Sequence, residues 1–217
     1  MKSWWHLTLL VVMLAASGTS TAQEGLRRFP LLQRGEMTQI QRDLVDAITA
    51  ARAGPQMPPR QTITSPFNVW LRSPELGDLI QKVGEHVRYK SSLPLKLNEL
   101  AILVTARHWT SQFEWHQHYQ IALKAGLNPA VAEAISKGER PVGMQDDEAI
   151  IHDFSRELHI NKGVSDELFK AAIAKFGEQG VMDLIAVNGY YVLVSMTLNV
   201  DRAPVPGGKP PLAPLKQ

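Results

Sequence analysis

The chain has 217 residues, 44% of them hydrophobic and 20% charged, enough for one globular domain with a sizeable core. Its 23 Lys and Arg stand against 21 Asp and Glu, a net charge of only +2, so no basic stripe for nucleic acid is expected. The absence of cysteine excludes disulfides, thiolate zinc sites, iron–sulfur clusters and any thiol nucleophile.

The first segment reads as an address. Residues 1–22, MKSWWHLTLLVVMLAASGTSTA, place Lys2 ahead of an apolar run Leu7–Ala16 and then small residues. Ser20-Thr21-Ala22 suits a signal peptidase, so cleavage after Ala22 and export, to a periplasm, are expected. The alternative is an uncleaved anchor, although the run falls short of the ~20 residues of a membrane span.

Residues 23–65 are expected to hold an irregular lead-in, one helix and a linker. Met37, Ile40, Leu44, Val45 and Ile48 follow helical spacing. Gly54-Pro55 and Pro58-Pro59 then open a linker to about Pro66. A helical domain follows over 66–203. Ser73-Pro74 starts its first long helix, with Leu76, Leu79, Ile80, Val83 and Val87 as the apolar stripe. Pro94 precedes a helix over Lys96–Arg107, and another runs from about Ser111 to Ala125 before Gly126. Asn128-Pro129 caps a short one. Asp146–Leu158 turns Ile150, Ile151, Phe154 and Leu158 to one side, and Ser165 caps a helix with Leu168, Phe169 and Ile173 inward. The last, Glu178–Leu198, includes YYVLV, which finds no partner strand and is expected as buried helix. Residues 204–217, rich in proline and glycine, are expected to be an extended or disordered tail. The fold class is all-α.

The stretch LNELAILVTARHWTSQFEWHQHYQIALKAG, Leu97–Gly126, holds the chemistry. Glu99 lies among apolar neighbours, where a carboxylate has its pKa raised or takes a partner, either of which suits proton transfer. The bland reading is an ion pair, for instance with Arg107. Ser111, Glu114, Trp115 and His118 stand at i, i+3, i+4 and i+7 and share one helix face. His118 is the natural proton carrier, with Glu114 placed to orient it. Ser111 also fits a helix cap. Trp115 and Tyr119 suit a pocket wall or the core, and Tyr190 or Asn199 suit donation to a bound carboxylate. Glu99, Glu114 and His118 also admit a metal reading, but Glu–His pairs at helical spacing are common without one, so no metal is expected. His86, His152 and His159 carry no motif, and Gly84 and Gly189 read as helix contact points.

This stretch resembles the carboxymuconolactone decarboxylase and alkylhydroperoxidase D superfamily. The likeness extends over roughly Pro66–Pro206 and includes SPELGDLIQKVGEHVRY and VSDELFKAAIAKFGEQGVMDLIAVNGYYVLVSMTLN. It implies a multi-helix alkylhydroperoxidase D-like bundle that forms trimers or hexamers. In the peroxidase branch a glutamate precedes Cys-x-x-Cys-x-x-x-His. Glu99 and His118 match that glutamate and histidine, while Ser111 and Glu114 stand where the cysteines would be. A serine hydroxyl forms no stable alkoxide at neutral pH, so thiol peroxidase activity is not expected. The resemblance leaves a cofactor-free lyase acting on a small carboxylate or lactone. The alternative is a helical binding or assembly protein that keeps the fold without the chemistry.

Overall fold

The computed structural model describes residues 27–53, 60–208 and 211–214; the expected signal segment and residues 54–59 of the expected linker lie outside the described residues. A 3-10 turn at Arg34–Glu36 precedes α1 (Gln39–Ala53), α2 (Phe67–Trp70), α3 (Pro74–Tyr89) and α4 (Leu95–His108). Then come α5 (Gln112–Lys124), α6 (Pro129–Ser136), α7 (Asp146–Asn161) and α8 (Asp166–Asp201), with no strand among the described residues. The expected all-α class is what the chain adopts.

The bundle is organised around α4. Every residue from Leu97 to Arg107 is buried, so this helix is covered on all sides, by α5, α6, α7 and α8. Local chemistry sets the ends of its neighbours. Gly126 takes φ 95°, in the left-handed region open to glycine, and closes α5. Asn128 Oδ1 accepts the Ala130 N–H at 2.9 Å and caps α6. Gly177, at φ 69° and ψ 177°, breaks α8 into two stretches, which is why the sequence reads there as two helices. The YYVLV run is helical, with Tyr190, Tyr191 and Val194 buried.

The α3 helix forms where expected but with a different face inward. Leu76, Leu79 and Val83 are exposed, while Gly77, Gln81, Gly84 and Val87 are buried. The glycines face inward because their neighbours occupy the space of a side chain. A Cβ on Gly77 would lie 2.9 Å from Leu44 Cδ2, and one on Gly84 would lie 2.0 Å from the Tyr190 hydroxyl. Gly189, expected as a contact point, is exposed with open space around it. Ile40 and Phe169 likewise face solvent despite helical spacing that predicted them inward.

The N-terminal helix docks on this bundle through a small core of its own: Met37, Leu44, Val45, Ile48, Ile63 and Leu71. Its lead-in is tied to the far end of α8. Asp201, fully buried, accepts the Ser65 hydroxyl, the Phe29 N–H at 3.0 Å and Arg27 at 3.3 Å. The tail, expected to be extended or disordered, is held over 211–214. Leu212 is buried, and its backbone exchanges two 2.8 Å hydrogen bonds with the Gln112 amide. One inserted leucine and a paired amide anchor this proline-rich stretch, which forms no regular element over 211–214.

Candidate active site

Two helices bring three of the sequence-predicted residues into contact. Glu99 projects from the interior of α4, and Glu114 and His118 from successive turns of α5, four residues apart on one face. His118 Nδ1 lies 2.6 Å from Glu99 Oε2, and its Nε2 lies 2.9 Å from Glu114 Oε1. An imidazole that meets a carboxylate at both nitrogens donates from both, which requires the charged form. Burial works against that charge, but Glu114 and Glu99 outweigh it and raise the His118 pKa to about 9. The ring is only 3% exposed, and Tyr191 packs edge-on against it at 5.0 Å. Tyr191 itself is pushed well above the usual phenol range by burial and stays protonated. Glu99 Oε1 is buried without a partner among the described residues, leaving one acceptor position open in the interior.

Glu114 and His118 open onto a cavity of about 210 Å³. Its other walls are Arg52 from α1, Thr64–Phe67 with the start of α2, Gly84 and Arg88 from α3, and Tyr190, Tyr191 and Val194 from α8. Arg88 makes no hydrogen bond or salt bridge among the described residues. Burial opposes its charge, but Tyr191, Tyr89, Glu99 and Glu114 outweigh it and raise its pKa. Arg52 lies 4.4 Å over the Phe67 ring. The cavity thus sets a charged carboxylate–imidazolium relay near two guanidinium groups that form no salt bridge among the described residues.

The remaining predicted residues divide. Tyr190 lines the cavity. Ser111 sits at the N-cap of α5, but its buried hydroxyl makes no cap hydrogen bond and has no partner among the described residues. Trp115 and Tyr119 stack at 6.1 Å and border a separate depression with His116, away from His118. They leave the pocket because α5 turns only its Glu114–His118 edge, with Phe113, Gln117 and Ile121, toward the cavity. Asn199 Nδ2 donates to the Trp109 carbonyl at 2.9 Å and is not in the cavity wall. Arg107 does not pair with Glu99; its Nη1 donates to the Ala213 carbonyl at 2.8 Å. The sequence reading missed Arg52 and Arg88, which lie on helices with no recognisable motif.

The chain is thus an all-α bundle in which Glu99 and His118 meet across two adjacent helices. The resemblance holds in the comparison with families: residues 74–144 match the model described as the carboxymuconolactone decarboxylase family. That stretch spans α3 to the turn after α6 and contains Glu99, Glu114 and His118. No curated protein matches the chain in sequence. The crystal structure of the debrominase Bmp8 in its apo form is similar, with a TM-score of 0.62 at 11% identity over 81% of this chain and 90% of that one. At that identity the likeness is one of fold.

Proposed function

We propose that this is an exported, cofactor-free lyase of the carboxymuconolactone decarboxylase type that moves protons on a small carboxylated or lactone substrate. The observation that carries the reading is the buried Glu99–His118–Glu114 relay opening onto a cavity that also presents Arg88 and Arg52. In a decarboxylation, the bond to the departing carbon dioxide leaves its electron pair on the adjacent carbon as an enolate. Glu114, in the cavity wall, takes a proton from His118 Nε2, 2.9 Å away, and passes it to that carbon, which leaves the imidazole neutral and Glu114 a carboxylate again. Glu99 holds the ring by Nδ1, and solvent returns the proton to His118 afterwards. Arg88 holds a carboxylate that the product keeps, as a fixed fork suits. The same relay serves an isomerisation, in which the proton leaves one carbon and returns to another.

Thiol peroxidase chemistry does not fit, because the chain has no cysteine to attack a peroxide. Export rests on residues 1–22 alone. The exposed apolar side chains Leu76, Leu79 and Val83 on α3 and Met182, Ile185, Met196 and Val200 on α8, each 42–62% exposed, support a homo-oligomer. The same surface favours the second reading, a non-catalytic assembly protein.

A screen of carboxylated lactones against purified protein separates the two. With a turned-over substrate in hand, His118→Gln should cut turnover about 10²–10⁴-fold while leaving the circular dichroism unchanged. Wild-type turnover in that variant removes His118 from the mechanism.

A further inference from the structure

We propose that the cleft between α4 and α7 is a second binding site, for a small organic carboxylate. The cleft, about 240 Å³, shares no residue with the His118 cavity. Arg107 and His108 enter it from α4, and His152, Arg156, His159 and Ile160 from one face of α7, at i, i+4, i+7 and i+8. Val104 and Ile135 complete an apolar side, and Glu139 is the one carboxylate in its lining, on an exposed turn.

The feature that asks for an anion is Arg107. It is only 4% exposed, yet its Nε–H is buried without an acceptor among the described residues. Its one hydrogen bond among the described residues, from Nη1 to the Ala213 carbonyl, is to a neutral group. Burial is the single influence on its pKa, downward, with no carboxylate to offset it. A buried guanidinium left without a counter-ion is costly, and an anion in the cleft would supply both charge and acceptor. Arg156 adds a second cation that makes no salt bridge among the described residues.

The histidines shape the cleft without discharging it. His159 Nε2 lies 2.9 Å from Thr105 Oγ1, and His108 stacks on the His159 ring at 4.9 Å and 15°. His152 meets Asp153 through Nδ1 at 2.8 Å. Two arginines exclude a metal cation. The apolar side and the flat imidazole stack favour an organic acid over an inorganic anion, because phosphate gains nothing from Val104, Ile135 and Ile160.

The test is a titration of the full chain with sodium benzoate, and separately with inorganic phosphate, followed by the imidazole resonances of the histidines. Benzoate should shift His108, His152 and His159 saturably. Arg156→Gln, on an exposed position and folded by circular dichroism, should weaken that response about tenfold or more. Arg88→Met, in the other cavity, should leave it unchanged. Absence of saturable shifts, an unaltered midpoint in Arg156→Gln, or loss of the response in Arg88→Met overturns the site. Phosphate binding as tightly as benzoate overturns the ligand class.

Discussion

Gly84→Ala tests the packing behind the His118 cavity, because two opposing effects of known size meet there. In the middle of α3 an alanine should gain about 0.5–1 kcal/mol over glycine from backbone entropy. Its Cβ, however, would stand 2.0 Å from the Tyr190 hydroxyl and 2.5 Å from Cζ, so the ring must move. Trp70 and Tyr191 flank that ring at 6.5 and 5.2 Å, and the free volume beside it is the cavity itself. Overpacking of this kind costs about 1–3 kcal/mol. The clash wins, and Gly84→Ala should be net destabilising by about 0–2.5 kcal/mol, with the cavity narrowed as Tyr190 swings in. In a Tyr190→Leu background the obstruction is gone, and the same substitution should stabilise by about 0.5–1 kcal/mol. Urea unfolding of the four proteins reads the coupling directly, expected at about 1–3 kcal/mol. Equal stabilisation by alanine in both backgrounds would refute the contact.

The His118 pair gives stability a pH dependence of definite sign. Its pKa is near 9 in the folded chain against about 6.5 unfolded, so its contribution is full below pH 6.5 and lost as pH rises through 9. The loss is of order 3 kcal/mol, seen as a falling urea midpoint between pH 6.5 and 9.5 that His118→Gln flattens. On the acid side, burial holds His159 down to about 4, so it opposes stability progressively as pH falls from 6.5 toward 4. Asp201→Ala should cost about 3–5 kcal/mol, because it strands buried Arg27 and the Ser65 hydroxyl. Limited proteolysis should then cut near residues 27–33 first, and equal protection of that segment would count against the tether. Light scattering at micromolar concentration should give an oligomer whose size falls when Leu79 and Met182 are both changed to Glu. A monomeric wild type denies the apolar faces that role.

The fold was legible because its signals are local. Prolines open α3 and α6, Asn128 caps α6, glycines follow the ends of α5 and α6, and the break at Gly177 falls where the sequence divides two helices. The Glu114–His118 register is equally local, since four residues on a helix fix a shared face. Glu99 meeting His118 is a tertiary fact that no spacing encodes; it came from the resemblance. Arg88 was missed for a physical reason. Apolar spacing points to the leucines as the inward side of α3, whereas Gly77, Gln81 and Gly84 face in, and Arg88 continues that i, i+4, i+7, i+11 row. Small residues mark an inward face wherever a bulky neighbour already fills the space, here Leu44 and Tyr190. Leu212 escaped notice because burial of one side chain leaves no period to detect.

The walls of the His118 cavity come from separate stretches of chain. The relay residues lie within 99–118, inside the segment that matches the family, whereas Arg52 and Thr64–Phe67 precede that segment and Tyr190–Val194 follow it. The relay and Arg88 thus share the matched segment, while the cavity wall is completed by stretches on either side of it. An exchange of Arg52 and residues 64–67 between relatives would re-cut the mouth of the cavity while the imidazolium keeps both of its carboxylates. A shift of ligand range along this route would start from α1 and the segment after it, with the buried centre left as it stands.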